Sequence, residues 1–224
     1  MFHIDGALYA RLLSRVRDRF DRIYRDGRDA WSGVRLYPET VAALDEALTL
    51  APDLLSRPAL DLGCGRGRMT RELERRGFKS AVAADITGVA VRDAARHAAG
   101  GAVADAEAMP FAEASFGLVS ELTMLSSIDP SLWPAAAREI GRVVAAGGFY
   151  VTEQVKRPAG RPLEERVETA CKLPRTLDEV WGFRPEDFER LLGRDFDRLF
   201  LAAVPVRDAS TDTPSWVGLF QRKE

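Results

Sequence analysis

The chain of 224 residues has few cysteines, few lysines, almost no net charge and no long apolar run. Cys64 and Cys171 are the only cysteines, too few for a disulfide framework or the usual structural zinc site. A reducing cytoplasm is therefore the expected compartment, and no metal is expected. No apolar stretch reaches the roughly 18 residues that a membrane span needs. The opening Met1-Phe2-His3-Ile4-Asp5 has neither a basic region leading into an apolar core nor a transit-peptide composition, so neither targeting nor membrane insertion is expected. A net charge of −2 argues against a large nucleic-acid footprint, because many phosphate contacts require a basic excess. Lysine is scarce beside arginine, and with so much alanine this reads as coding bias rather than function.

What remains is an ordinary globular composition, 46% hydrophobic and 29% charged, long enough for one domain with appendages and a substantial core. The most informative stretch is Ala59-Leu60-Asp61-Leu62-Gly63-Cys64-Gly65-Arg66-Gly67-Arg68-Met69-Thr70. An apolar strand that ends in an acid and alternating glycines and then opens a helix lets the backbone turn sharply and approach a ligand. Alone, the pattern fits a nicotinamide or flavin enzyme, a nucleotide binder, or a tight turn with no ligand.

Ile4, Leu8, Leu12, Val16, Phe20 and Ile23 recur at helical spacing, opposite a face carrying Arg11, Arg15, Arg17, Arg19 and Arg22. Interleaved Asp5, Asp18 and Asp21 dilute that charge, so the helix is expected to pack on the domain rather than on a membrane. A loop over 26–38 and a helix over 39–50 follow. Strands are expected at 58–62, 80–85, 101–104, 115–120 and 147–153, and helices at 67–76, 88–98 and 131–144. Gly77 reads as a helix stop, Thr87 as an N-cap, and Gly147-Gly148 as the turn into the last parallel strand. This alternation predicts an open parallel sheet with helices on both faces. A helix at 185–192 and the strands Phe196–Val206 and Ser215–Arg222 then form an antiparallel hairpin at the sheet edge.

Ligands of such sheets bind beyond the carboxyl ends of the strands. There Asp61, Asp85 and Asp105 end three successive strands, and Asp85 lies 18 residues past Gly67. At that spacing a carboxylate can receive both ribose hydroxyls of a nucleoside; it can equally cap the helix after Thr87.

Five ordered motifs, Asp61-Leu62-Gly63-Cys64-Gly65-Arg66-Gly67, Ala84-Asp85-Ile86-Thr87, Ala104-Asp105-Ala106-Glu107-Ala108-Met109-Pro110-Phe111, Ser115-Phe116-Gly117-Leu118-Val119 and Glu139-Ile140-Gly141-Arg142-Val143-Val144-Ala145-Ala146-Gly147-Gly148, resemble those of class I S-adenosylmethionine-dependent methyltransferases. Within that superfamily the chain is most similar to the small-molecule enzymes related to ubiquinone and menaquinone biosynthesis methyltransferases, of methyltransferase type 11. The likeness is close over about 57–155.

The resemblance implies a single α/β domain over 1–224 with a Rossmann-like seven-stranded sheet, mostly parallel with an antiparallel C-terminal edge. Residues 1–52 would be a helical cap, 57–153 the cofactor-binding core, 154–184 a substrate lid and 185–224 the C-terminal helix and sheet edge. It implies S-adenosyl-L-methionine as cofactor, leaving S-adenosyl-L-homocysteine. Gly63, Cys64, Gly65 and Gly67 would border the methionyl moiety, with Asp61 near its amino group. Asp85 would take the ribose hydroxyls, Ile86 would lie against the adenine face, and Asp105 and the Ala106 amide would meet the adenine edge. Ser120 and Glu121 would border the methionyl end and the substrate. The chain departs from the pattern at Gly117, where the family usually has Asp, and at Met124-Leu125-Ser126-Ser127, where a histidine is common. A catalytic histidine at that place is not carried over.

Methyl transfer is an in-line displacement in which positive charge at sulfur is lost, so a water-poor pocket favours it. Alignment of the two reactants alone contributes roughly 7–11 kcal/mol. A base is needed only for an acceptor that arrives protonated, and the candidates are His3, Tyr37, Glu121, Asp129 and Glu153. Each has a plainer alternative: a frayed terminus, a packing aromatic, a helix cap before Pro130, a solvated strand end. Acceptor-pocket candidates are Trp31, Tyr37, Met124, Trp181 and Phe183, with a helical stretch at Leu163–Lys172 inside the lid segment. The chain lacks the Asn/Asp-Pro-Pro-aromatic turn of nucleic-acid amino methyltransferases, the Pro-Cys of cytosine C5 enzymes and the second glutamate of protein arginine methyltransferases. The expected reaction is methyl transfer to oxygen, nitrogen or carbon of a small metabolite. Its rivals are an S-adenosylmethionine-binding sensor without turnover and a nicotinamide oxidoreductase, the latter disfavoured by the Gly-x-Gly-x-Gly loop and the motif order.

Overall fold

The structure, a computed structural model, describes residues 6–162, 165, 167–168, 179–206 and 213–224. The chain opens with α1 (Gly6–Arg25), a short 3-10 turn at Ala30–Gly33 and α2 (Pro38–Leu50). The core then alternates β1 (Ala59–Leu62), α3 (Arg68–Arg76), β2 (Ala81–Asp85), α4 (Gly88–Ala94) and β3 (Gly100–Val103). It continues through β4 (Phe116–Leu122), α5 (Met124–Ser127), α6 (Trp133–Val143) and β5 (Val144–Val155). Two short strands, β6 (Val167–Glu168) and β7 (Glu179–Val180), precede α7 (Pro185–Leu192), β8 (Phe196–Val204) and β9 (Ser215–Arg222).

The seven-stranded sheet has the order β3-β2-β1-β4-β5-β9-β8. Five strands are parallel, and β9 runs antiparallel to both β5 and β8. The hairpin therefore folds back so that β9 lies inside and β8 forms the edge. The sequence carries the reason: Val217, Leu219 and Phe220 of β9 are buried, whereas β8 exposes Asp197, Arg198 and Leu199. Because the chain returns from β3 to pair β4 with β1, the strand order reverses between β1 and β4, and a crevice opens over their carboxyl ends.

The local signals act as expected at several positions. Thr87 accepts the Ala90 N–H at 3.4 Å as N-cap, and Gly77 ends α3 in the left-handed region. The helix expected over 88–98 stops at Ala94 and tightens into a 3-10 turn at Ala95–His97. The strand expected at 147–153 runs the full length of β5, with the Gly147-Gly148 pair inside it rather than before it. At Gly117 the space that an aspartate would need is taken, since an added Cβ would lie 2.7 Å from Arg57 Cβ. Where a helix is expected at Leu163–Lys172, Val167–Glu168 instead pairs antiparallel with Glu179–Val180; the rest of that stretch lies outside the described residues.

Apolar side chains fill both faces of the sheet. One face packs Leu60, Val119 and Tyr150 under Trp133, Ile140 and Phe188, and Tyr9, Leu12 and Val16 of α1 rest against its margin. The other packs Leu118, Phe149 and Val151 under Leu44, Met69 and Leu73. Trp133 is fully buried, stacks on Phe183 at 4.0 Å and donates its ring N–H to the Leu125 carbonyl at 2.8 Å. These anchors set α5, and with it the turn after β4, over the crevice. No helix among the described residues is long and apolar enough to cross a membrane.

Candidate active site

The crevice is a cavity of about 190 Å³. That is more than ten times the roughly 10–15 Å³ that lodges one water, so it is a place for an organic molecule rather than for solvent alone. Its floor is the loop between β1 and α3. Gly63 and Gly65 adopt φ of +69° and +51°, which side chains rarely tolerate. A Cβ on Gly65 would sit 3.0 Å from the Tyr24 hydroxyl, and one on Gly63 would collide with Met124. Cys64 continues the β1–β2 ladder by donating its N–H to the Ala84 carbonyl at 2.9 Å, and burial pushes its thiol pKa upward. Gly67 does not line the cavity; it lets α3 approach α4, where a Cβ would lie 3.0 Å from Ala94 Cα. The methionyl border expected of Gly67 is thus corrected to a packing role.

The strand ends supply carboxylates. Asp61 accepts the Thr70 hydroxyl and is pushed up to about 6, by burial first. Asp85 accepts the Gly65 N–H at 3.1 Å, the Thr87 N–H at 3.0 Å and the Thr87 hydroxyl at 3.0 Å, while burial raises its pKa. Asp85 therefore braces the turn into α4, as the capping reading expects, and also lines the cavity. Asp105 accepts the Glu107 N–H at 3.0 Å and the hydroxyl of Tyr9 from α1. Burial and the neighbouring Asp105 push Glu107 up to about 7. Ile86 and Ala106 line the same end.

Two expected residues turn out to lie elsewhere. Neither Ser120 nor Glu121 lines the cavity, and both are fully buried. Ser120 donates to the Leu60 carbonyl at 3.3 Å. Glu121 accepts the Leu125 N–H, the Tyr150 and Thr152 hydroxyls and the Gln154 amide, so its carboxylate ties β4 to β5 and α5. Burial raises it to about 7 against the pull of those donors. The residues that meet the cavity at the end of β4 are instead Leu122, Thr123 and Met124. Thr123 is held at φ +64° and donates its N–H to the Glu153 carbonyl at 2.7 Å, an unfavourable backbone conformation at the cavity wall.

Of the acceptor-pocket candidates, Trp31, Tyr37 and Met124 line the cavity. Phe183 does not, being 1% exposed and stacked on Trp133. Trp181 lines a second, smaller cavity with Arg15, Arg19 and Asp129. Both were expected at the acceptor as aromatics at the end of the lid segment; Phe183 is instead packed on Trp133 of α6, and Trp181 lines the second cavity. Among the base candidates, Tyr37 and Glu153 line the main cavity, Glu121 does not, and His3 lies outside the described residues. Asp129 accepts the Ser131 N–H and hydroxyl in the turn before α6, whose N-cap is Leu132, so it does not cap that helix.

Several lining residues escaped sequence reasoning. Phe20 and Tyr24 of α1 form an aromatic cluster with Trp31, whose ring meets Tyr24 edge-on at 5.9 Å. Arg66 secures that cluster: its guanidinium donates to Asp29 at 2.9 Å, to Asp93 and to the Tyr24 carbonyl. The only sequence signal for Tyr24 was its place four residues after Phe20 on the apolar face of α1. Arg68, Thr213 and Ser215 also line the cavity, and nothing in their local sequence marks them.

A glycine-floored crevice at the reversal point of this sheet, rimmed by an acid at the end of each of the first three strands, defines the class I S-adenosylmethionine-dependent methyltransferase fold. Residues 59–148 match the family described as a methyltransferase domain, and this stretch of the chain is such a domain. A search of curated protein sequences finds no match. Among solved structures, a methyltransferase from Methanosarcina mazei aligns at 19% identity and TM-score 0.68, over 85% of this chain and 99% of its own. The Burkholderia thailandensis 1,6-didemethyltoxoflavin-N1-methyltransferase, with 1,6-didemethyltoxoflavin and S-adenosylhomocysteine bound, aligns at 19% identity and TM-score 0.71, over 100% and 93%. The [4+2]-cyclase SpnF aligns at 16% identity and TM-score 0.72, over 94% and 97%. At such identities these likenesses concern the fold.

Proposed function

We propose that the protein transfers the methyl group of S-adenosylmethionine to a small organic acceptor bound in the same cavity. The observation that carries this reading is the charge of the cavity wall. Four carboxyl groups at the cofactor end, of Asp61, Asp85, Asp105 and Glu107, face two guanidiniums, of Arg66 and Arg68. A wall of that sign favours a ligand bearing sulfonium and ammonium charge and disfavours the pyrophosphate of a dinucleotide. The residues present fit the cofactor. The left-handed glycines Gly63 and Gly65 keep bare backbone on the cavity floor, and the two rim acids Asp85 and Asp105 offer acceptors for hydroxyl and amine hydrogens.

In this reading Gly63, Cys64 and Gly65 border the methionyl moiety and Asp61 lies near its amino group. Asp85 holds the ribose, and Ile86, Asp105 and Ala106 hold the adenine. The bound cofactor supplies an electrophilic methyl group on a cationic sulfur. The chain's own part is to align, to exclude water and to receive a proton. Phe20, Tyr24 and Trp31 roof the glycine loop, while Tyr37, Val155, Val180 and Glu153 bound the space left for the acceptor. Val155 and Val180 belong to the 154–184 segment, which supports a part for it in enclosing the acceptor. Methylation in a crevice of this size, without an excess of basic residues in the chain, is consistent with a metabolite rather than a nucleic acid as acceptor.

Calorimetry with S-adenosylmethionine, S-adenosylhomocysteine and NAD tests the cofactor assignment. Binding of the first two and not of NAD is expected; tight NAD binding with no response to the others overturns it. A mass-spectrometric screen of metabolites for a gain of one methylene tests turnover, and a binder without turnover across a broad panel is a sensor.

A further inference from the structure

The buried carboxylates of this protein differ in how completely they are hydrogen-bonded. Glu121 holds four donors, Asp85 three, and Asp187 accepts from Arg157, Arg184 and Arg190. Glu153 is as deeply buried, 3% exposed, yet among the described residues its side chain accepts one long hydrogen bond, from the Thr40 hydroxyl at 3.3 Å. The nearest guanidinium nitrogen, of Arg68, stands 3.8 Å from the other oxygen, too far for a hydrogen bond. A carboxylate offers about four lone-pair directions, and leaving them unused in a buried place is costly.

Glu153 also faces the acceptor end of the cavity, together with Tyr37, Leu122, Val155 and Val180. Its position there is built in. It pairs with Leu122 across β4 and β5, and its carbonyl fixes the left-handed Thr123. Thr40 of α2 and Arg68 of α3 approach from the sides.

Resting on the function proposed above, we infer that Glu153 is the acceptor-recognition group, and that the methyl acceptor is a mostly apolar molecule presenting an N–H or O–H to this carboxylate. The open lone pairs of Glu153 then receive the hydrogen of the atom that is methylated. As that atom forms its bond to carbon, the carbon–sulfur bond of the donor breaks with its electron pair on sulfur. The acceptor's proton passes to Glu153 and from there to water. Burial raises the Glu153 pKa while Arg68 and Thr40 lower it, which suits a group that takes up a proton and releases it.

The test uses the whole protein saturated with S-adenosylhomocysteine and two matched pairs of fragments, phenol with anisole and indole with N-methylindole, titrated by NMR. Wild-type protein is expected to bind the donor-bearing member of each pair at least about tenfold more tightly. That preference is expected to shrink in Glu153→Gln, which keeps size and neutralises the charge, and to vanish in Glu153→Leu, with S-adenosylhomocysteine affinity unchanged in both. A preference that persists in both variants is steric and overturns the inference, as does the absence of any preference in the wild type. Failure to bind S-adenosylhomocysteine at all would instead overturn the cofactor reading on which the inference rests.

Discussion

The Asp85 carboxylate accepts the N–H of Gly65 at 3.1 Å, so the acid that ends β2 braces the loop that ends β1. One side chain therefore shapes the cavity floor and lines the cavity above it. Asp85→Ala is expected to weaken S-adenosylhomocysteine binding by roughly 10- to 100-fold, the loss of one or two charge-assisted hydrogen bonds. It should also lower the melting temperature, because Thr87 loses two bonds at the start of α4. Calorimetry and thermal melting check the two effects separately, and an unchanged affinity refutes the ribose role.

Gly63 and Met124 are equally specific partners. A Cβ at Gly63 would lie 2.6 Å from Met124 Cβ, at a φ of +69°. Gly63→Ala is expected to destabilise by about 1–3 kcal/mol and to impair cofactor binding. Adding Met124→Gly relieves the collision but not the backbone strain, so partial recovery of the melting temperature is the expected outcome. Full recovery would mean that the left-handed backbone is not strained.

Glu121 is expected to behave as a structural residue. Glu121→Ala strands four buried donors and should cost several kcal/mol, on the order of 1–3 for each donor left unsatisfied. Once folded at low temperature, the variant should still bind S-adenosylhomocysteine. A fully stable variant that has lost binding would return Glu121 to the cofactor site.

The same group predicts a pH dependence. Its carboxyl is raised in the folded state from 4.5 to about 7, so the native protein binds more protons than the unfolded chain between those values. Stability from this source is full below about 4.5 and is lost as pH rises toward 7; Glu107 and Asp61, raised to about 7 and about 6, act in the same direction. Denaturant unfolding from pH 5 to 8 should show declining stability, with a shallower slope in Glu121→Gln. A rise over that range would contradict the raised values.

Arg66 is expected to hold the aromatic roof in place. Its bonds to Asp29, Asp93 and the Tyr24 carbonyl join the end of α1 to the glycine loop and α4. Arg66→Ala should speed hydrogen exchange of backbone amides over 24–34 while leaving those of β1 and β4 protected. Uniform acceleration across the sheet would show that Arg66 supports the whole domain instead.

How far the site was legible in sequence varies by residue. Asp61, Asp85 and Asp105 could be found because each ends a strand whose apolar run is continuous, and the glycines because their spacing is contiguous. Glu121 was misplaced although its position at the end of β4 was right, since ending a strand does not decide which way a side chain turns. Ser120 failed for the same reason. Trp181 and Phe183 are aromatics of the expected segment, but Phe183 stacks on Trp133 and Trp181 lines the second cavity.

The sequence by itself determined the alternation of strands and helices in the core, the glycine loop and the rim acids, which depend on local periodicity and short spacings, and its resemblance to the methyltransferase family implied the class of cofactor. Only the tertiary structure decided that β9 lies inside β8, that Tyr9 of α1 reaches Asp105, and that Glu153 rather than Glu121 lines the cavity. Those outcomes rest on contacts such as Tyr9 with Asp105, 96 residues apart, and Thr40 with Glu153, 113 apart. Strand register, sheet twist and the fit of neighbouring elements set such contacts, and no local pattern encodes them.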